Sequence, residues 1–168
     1  MSLSKTLRAL SVLAISLLSG CGFRPLYGPQ LKTTQDLSNI KVMIIADRDG
    51  QNLRNHLLDL LNPYGVPCHP EYILDTKLTT GSVEVGVRRD ATTSRKELVA
   101  TAFLNLRNIE SGQIVLTKVL TSKNTYTAMD TNYYTNVVTE DYAKEEAIRD
   151  LSYKIQLILA EYFGNQTP

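Results

Sequence analysis

Apolar residues in the middle of the chain follow two spacings, and each predicts a different element. Residues 40–46 form a short apolar run rich in β-branched residues, which is typical of a largely buried strand. A turn follows at residues 47–50, with Asp49 as the candidate N-cap of a helix. Pro63 and Gly65 mark the end of that helix. Its predicted apolar face, with spacings of three and four, comprises Leu53, Leu57, Leu60, Leu61 and Tyr64.

The next part of the chain alternates apolar and polar residues and predicts three strands. Leu74 and Leu78 occupy even-numbered positions of the strand, whereas Val83 occupies an odd-numbered one. The apolar residues therefore change face, and a bulge or break is expected at Thr80-Gly81. Short turns between adjacent strands predict an antiparallel meander. The strands are predicted at residues 72–87, 98–106 and 114–126, and the turns at residues 90–93 and 110–112.

From about Asn132 the spacing becomes helical, and Gly164 marks the expected stop. The element order is therefore β-α-β-β-β-α. Two amphipathic helices need a surface to cover, so we expect an α+β fold with both helices on one face of a four-stranded, mainly antiparallel sheet. This single domain is assigned to residues 38–164, with a tail at 165–168. The apolar positions of the last helix are Tyr142, Ala143, Ala147, Leu151, Ile155, Ile158 and Tyr162.

The first twenty residues have the pattern of a bacterial lipoprotein signal peptide. Lys5 and Arg8 precede an apolar stretch at residues 10–18 that is too short to span a bilayer. Apolar and small residues then lead to Cys21, which is the order of a lipobox. We expect cleavage between Gly20 and Cys21, a diacylglyceryl group on the thiol, and an acyl chain such as palmitate on the freed amine. The alternative is an ordinary secretory signal with an incidental cysteine.

Cleavage leaves a lipidated tether at residues 21–37, in which Pro25, Gly28 and Pro29 break regular structure. Gly22, where some lipoproteins have Asp, resembles the pattern sent to the outer membrane. Of the 18 Lys and Arg residues, 16 remain against 17 Asp and Glu, so the mature chain lacks the basic excess of nucleic-acid-binding proteins.

Recognisable catalytic and metal-binding motifs are absent from the sequence. His56 and His69 have no Cys, Asp or Glu at metal-ligand spacing, and no nucleophile elbow or phosphate loop occurs. We therefore expect a protein that is not an enzyme and has no metal or cofactor. Cys68 is left without a partner once Cys21 carries lipid, and we expect it to be a partly buried, small apolar side chain.

Two clusters of side chains are candidate binding surfaces. Four cations flank the first hairpin turn, and arginine suits the phosphates of lipopolysaccharide; an edge-protecting, solvated turn is the alternative. Tyrosines near the start of the last helix suit a partner interface, or they cap the core between sheet and helix. The cations are Arg88, Arg89, Arg95 and Lys96, and the candidate interface comprises Tyr126, Tyr133 and Tyr134.

These features occur together in one known family. The chain resembles the lipopolysaccharide-assembly lipoproteins, LptE, in their alphaproteobacterial form. The resemblance runs through most of the chain in order: Cys21-Gly22-Phe23-Arg24-Pro25-Leu26-Tyr27-Gly28 after the lipobox, then Val83 to Val87 with Arg89-Asp90 and Thr93-Ser94-Arg95, then Ser111 to Val115, then Tyr126, Tyr133-Tyr134 and the segment from Glu140 to Arg149.

The resemblance implies an outer-membrane lipoprotein on the periplasmic face. Such a protein binds, helps fold and plugs the lipopolysaccharide-transport β-barrel LptD, and it assists delivery of lipopolysaccharide to the outer leaflet. Two alternatives remain open: an auxiliary lipoprotein of another envelope lipid-transport complex, and a periplasmic ligand-binding lipoprotein or enzyme. The latter predicts a deep apolar pocket with a few convergent polar groups.

Overall fold

The computed structural model describes residues 32–87, 93–129 and 133–166. These residues form three helices and four strands in an α+β domain, and the predicted order β-α-β-β-β-α is confirmed. A short helix is added before the first strand, where the sequence predicts the end of the tether. The elements are α1 (Lys32–Ser38), β1 (Ile40–Val42), α2 (Asp47–Leu61), β2 (Tyr72–Val87), β3 (Thr93–Asn108), β4 (Ile114–Met129) and α3 (Tyr133–Gln166).

The strands form one mixed sheet in the order β1-β2-β3-β4. β1 runs parallel to β2, and β2, β3 and β4 form the predicted antiparallel meander. Each long strand has 16 residues and is about 50 Å long, close to the length of the 34-residue α3. α3 therefore spans the sheet, whereas the 15 residues of α2 cover only about 22 Å.

The sheet has two distinct ends. At the tether end lie β1, the start of β2, the end of β3 and the start of β4. At the hairpin end lie the end of β2, the start of β3, the end of β4 and the first turns of α3.

One face of the sheet forms the core with α2 and α3. The even-numbered residues of β3 from Leu98 to Leu106 are all buried, as the alternation predicts. Leu53 and Leu57 of α2 belong to the same buried cluster, and so do the predicted positions Ala143, Ala147, Leu151 and Ile155 of α3. The prediction is wrong for Tyr142, which is 65% exposed before the helix reaches the core. The Ser122 hydroxyl on β4 donates to the Asp150 carboxylate at 2.6 Å, which fixes α3 to the sheet. Lys154 and Ser122 together lower the pKa of Asp150.

The bulge in β2 lies beyond the predicted position. Thr80 and Gly81 pair regularly with Ala100 and Val99, and the register instead shifts between Glu84 and Gly86. The register stays regular up to Glu84, so the change of parity places Val83 opposite Glu97 on the outer face of the sheet, away from both helices, and Val85 lies in the bulge. Val83 and Val85 are consequently exposed, at 57% and 51%.

The ends of the helices also differ from the prediction. α2 begins at Asp47 without a side-chain cap; the Asp49 carboxylate instead accepts a hydrogen bond from the Thr80 hydroxyl at 3.0 Å. Tyr64 lies beyond the end of α2 and is fully exposed. α3 continues through Gly164, because Phe163 remains buried and packs edge-to-face on Tyr72 at 5.1 Å.

The close packing of Gly50 in α2 leads to a stability prediction. A Cβ at Gly50 would lie 2.6 Å from Ile45 Cγ2 and 3.2 Å from the Ile45 carbonyl carbon, and Ile45 is itself buried. We expect Gly50→Ala to lower the free energy of unfolding by about 1–3 kcal/mol, because overpacking outweighs the helix propensity of alanine. Urea denaturation followed by circular dichroism measures the change.

Gly164→Ala is the matched control, because a Cβ at Gly164 would meet no atom within 4 Å. We expect this variant to be more stable by roughly 0.5–1 kcal/mol. An equal gain in both variants would contradict the packing argument.

Candidate functional site

The hairpin end of the sheet is covered by α3 alone. The Asp49–Thr80 hydrogen bond places the start of α2 beside the middle of β2, and α2 runs from there towards the tether end. α2 therefore covers none of the last residues of β2, and several apolar side chains at this end are exposed, with Val83 on the outer face of the sheet. The exposed apolar residues at this end are Val83, Val85, Tyr133, Tyr134, Val137, Val138 and Tyr142.

Five of these residues form a tyrosine–valine stripe on the first turns of α3. Tyr134, Val138 and Tyr142 follow at intervals of four residues, and so do Tyr133 and Val137. Tyr133 is 84% exposed and Tyr134 is 78% exposed. Grouped apolar side chains on a surface mark a contact region, and tyrosine is enriched in protein interfaces. The tyrosines were predicted from the sequence and the two valines were not, although each valine follows Tyr133 or Tyr134 by four residues.

Tyr126 differs from the other tyrosines of the candidate interface. It is only 6% exposed and belongs to the core, which fits the core-capping alternative. Its pKa is raised mainly by burial, while the nearby Ser82 hydroxyl lowers it and Glu140 raises it. Within the described residues the phenol makes no well-formed hydrogen bond, although Ser82 and Glu140 face it.

The two described cations of the hairpin lie on opposite faces of β3. Arg95 pairs with Gly86 and Thr127 on the outer face, and it is exposed. Lys96 is half-buried on the other face, where its cross-strand partners are Glu84 and Tyr126. Adjacent strand residues must alternate in this way, so these two cations do not form one patch. Arg88 and Arg89 lie outside the described residues.

The outer face of the sheet is mainly polar, and no described element covers it. Side-chain pairs cross it, including Thr117 to Asn105 at 2.9 Å and an ion pair between Lys123 and Glu97 at 2.9 Å. Phe103 and its cross-strand partner Val119 are exposed apolar residues on the same face, at 46% and 56%.

Two clefts flank the start of α2, and both are mainly polar. One of about 350 Å³ lies between residues 46–50 and residues 77–80, with Asp47, Asp49 and Lys77 in its wall. The other, of about 160 Å³, lies between α2 and α3, with Arg48, Asp141 and Lys144 among its lining residues. Neither has the apolar lining typical of a small-molecule site.

Three further features characterise the described residues: their metal-ligating groups, their cysteine and the apolar character of their helices. Among residues 32–87, 93–129 and 133–166, no three His, Cys, Asp or Glu side chains come together as a metal site. Cys68 is exposed, so the expectation of partial burial is wrong: it lies in the loop between α2 and β2, outside the core. No helix in the described part of the chain has the length and apolar character needed to cross a bilayer.

The sequence is similar to that of a bacterial protein. No family model matches the chain. An uncharacterised protein of Rickettsia prowazekii (strain Madrid E) is 24% identical over 126 residues, which cover 75% of this chain and 78% of that protein.

Three solved structures share the architecture. A candidate lipoprotein from Caulobacter crescentus CB15 matches with a TM-score of 0.65 at 24% identity, covering 82% of this chain and 99% of the other. A minor lipoprotein from Acinetobacter baumannii has a TM-score of 0.60 at 16% identity, with 74% and 92% covered. The rare lipoprotein B from Shewanella oneidensis has a TM-score of 0.60 at 10% identity, with 77% and 98% covered. The described domain therefore has a fold that occurs in proteins described as lipoproteins.

Proposed function

We propose that this chain is an outer-membrane lipoprotein, anchored through Cys21, that binds the lipopolysaccharide-transport β-barrel LptD. In this role it helps the barrel fold, plugs its lumen from the periplasmic side, and assists assembly of lipopolysaccharide in the outer leaflet. It acts through surfaces rather than through catalytic groups, a metal or a cofactor.

The observation that carries the proposal is the fold shared with three structures described as lipoproteins, each covered over at least 92% of its length. The lipobox at Cys21 supports the anchoring independently of the fold. The resemblance of the sequence to LptE is the reason for proposing LptD as the barrel and lipopolysaccharide as the ligand.

The described surface is compatible with a plug. The interior of a large outer-membrane barrel is polar, so a plug needs polar side chains on the surface that faces the wall. The outer face of the sheet provides such a surface, with pairs such as Asn105–Thr117 and Glu97–Lys123. The tyrosine–valine stripe offers an apolar contact at one end.

Recovery of partners from outer membranes tests the proposal. The chain carries a tag after Pro168, membranes are extracted in mild detergent, and co-purified proteins are identified by mass spectrometry. We expect one large outer-membrane barrel in near-equal amount. Recovery of an inner-membrane transporter, or of no partner, would refute the proposal and favour an auxiliary lipoprotein of another complex.

A paired substitution tests whether the stripe contacts the barrel. We expect Tyr133→Ser with Tyr134→Ser to reduce barrel recovery at least about tenfold, since truncating a tyrosine at the centre of an interface costs about 2 kcal/mol or more. Tyr153→Ser is the matched control, because Tyr153 is a 54% exposed tyrosine further along α3. Equal recovery with both variants would remove the stripe from the interface.

The hairpin cations predict a salt-dependent affinity for lipopolysaccharide. We expect replacing Arg88, Arg89, Arg95 and Lys96 with Ser to weaken binding at least about tenfold at low salt, since a charge-assisted hydrogen bond contributes about 1.5–3 kcal/mol. Binding of purified protein to immobilised lipopolysaccharide at increasing salt measures the loss. Lys41→Ser with Arg107→Ser is the control, since both exposed cations lie at the tether end. Unchanged affinity in the fourfold variant would contradict the prediction.

A further inference from the structure

The loop between α2 and β2, residues 62–70, presents apolar side chains to the outside. Tyr64 is 100% exposed and Val66 is 56% exposed. Ile109, in the turn between β3 and β4, is 43% exposed beside the start of β2. A single exposed apolar residue is ordinary, but several at one end of a domain indicate a contact surface.

Hydrogen bonds place this loop next to the point where the tether joins the domain. The Asn62 side-chain amide donates to the Ser38 carbonyl at 2.9 Å, which joins the start of the loop to the end of α1. The Glu71 amide donates to the Asn39 carbonyl at 3.0 Å, which fixes the other end. Residues 21–31 lead into α1 and span at most about 40 Å when extended, so lipid on Cys21 lies within that distance of the start of α1.

The composition of the loop suits contact with lipid rather than with water. No Lys, Arg, Asp or Glu occurs between Asp59 and Glu71. When the loop enters a bilayer surface, none of these charged side chains therefore has to leave water. Tyrosine, with an apolar ring and a polar hydroxyl, is enriched at the boundary between headgroups and acyl chains.

The backbone of the loop holds Tyr64 outward. Pro63, Pro67 and Pro70 restrict the chain, and Gly65 adopts φ +106° in a turn closed by its N–H to the Asn62 carbonyl at 2.9 Å. Little conformational entropy therefore remains to be lost when the tip meets a surface.

We propose that the loop of residues 62–70 rests on the bilayer that holds the lipid of Cys21, with Tyr64 and Val66 at the headgroup–acyl boundary. The inference rests on the anchoring at Cys21 in the proposed function, and it adds the orientation of the domain. Exposed Glu71 and Glu110 flank the loop, so a zwitterionic surface suits it better than an anionic one. In vesicles without the barrel, the hairpin end then points away from the bilayer surface.

A single tryptophan provides the test, because the chain has none of its own. The full mature, lipidated protein carrying Tyr64→Trp is reconstituted into phosphatidylcholine vesicles with or without bromine on the acyl chains. We expect a blue shift and a loss of roughly half of the emission with brominated lipid, because interfacial groups lie about 5–10 Å into the headgroup–acyl boundary. Tyr133→Trp is the control at the hairpin end, and its emission is expected to stay unchanged. Both replaced tyrosines are exposed, so folding is not at risk.

Flotation of the same samples separates the outcomes. If the protein floats with the vesicles but Tyr64→Trp is not quenched, or if Tyr133→Trp is quenched equally, the loop proposal is wrong and the anchor stands. If the protein does not float, the anchoring at Cys21 fails and the loop proposal fails with it. Barrel binding is measured separately by co-purification, so its failure remains distinguishable from both.

Discussion

Leu151→Ala is expected to lower the free energy of unfolding by about 3–5 kcal/mol, a large part of the roughly 5–15 kcal/mol that stabilises an ordinary domain. Leu151 is 0% exposed near the middle of α3, within the buried cluster that joins α3 to the sheet and to α2. Removing its side chain loses the transfer free energy and leaves a cavity that flanking residues such as Ile148 and Ile155 cannot fill without moving.

Chemical denaturation of the purified chain measures this loss. Leu157→Ala is the matched control, since Leu157 lies on the same helix but is 50% exposed. We expect that variant to lose less than about 1 kcal/mol. Similar losses in both variants would mean that α3 does not pack on the sheet as described.

Cys21→Ser is expected to remove the lipid completely, because only a thiol takes the diacylglyceryl group. One acyl chain holds a protein only marginally at a bilayer, whereas two or three hold it stably, so this loss abolishes direct anchoring. The intact mass of the purified protein and the incorporation of labelled palmitate measure the effect.

Cys68→Ser controls for the loss of a cysteine as such. Cys68 is exposed in the described domain, and we expect its replacement to leave the mass of the attached lipid and the palmitate label unchanged. Palmitate that persists in Cys21→Ser, or disappears in Cys68→Ser, would refute the assignment of the lipidation site.

Periodicity predicted the elements well because it reports which face of each element is buried. The alternation of Ala100, Ala102 and Leu104 followed from the need of a half-covered sheet to bury one face. Leu53 and Leu57 on α2 obeyed the same rule at helical spacing. Short turns then left an antiparallel meander as the simplest connection.

Periodicity failed where burial depended on a distant element. Val83 and Val85 alternate like core residues, yet they are exposed, because Val83 lies opposite Glu97 on the uncovered outer face and Val85 lies in the bulge. Tyr64 continues the spacing of the helix, but α2 ends before it. Leu37 looked like part of a tether, and the described structure buries it in the core through α1.

For the candidate binding surfaces, too, the sequence showed which residues lie close in the chain, and the structure showed which of them share a surface. The sequence showed Tyr126, Tyr133 and Tyr134 as one group, but only packing separated the buried Tyr126 from the two exposed tyrosines. It also showed Arg95 and Lys96 as neighbours, whereas strand geometry sends them to opposite faces.

The sequence by itself determined the lipobox at Cys21 as a chemical prediction, the order of the main elements and the parity of the core, because these depend on local spacing. The tertiary structure alone decided which face of the sheet the helices cover and how far α2 extends along it, and therefore which apolar residues remain at the surface. It also brought the loop around Tyr64 beside the end of α1, through the hydrogen bond from Asn62 to Ser38. Contacts between residues so far apart in the chain leave no periodic signal, since they arise only when the helices pack on the sheet.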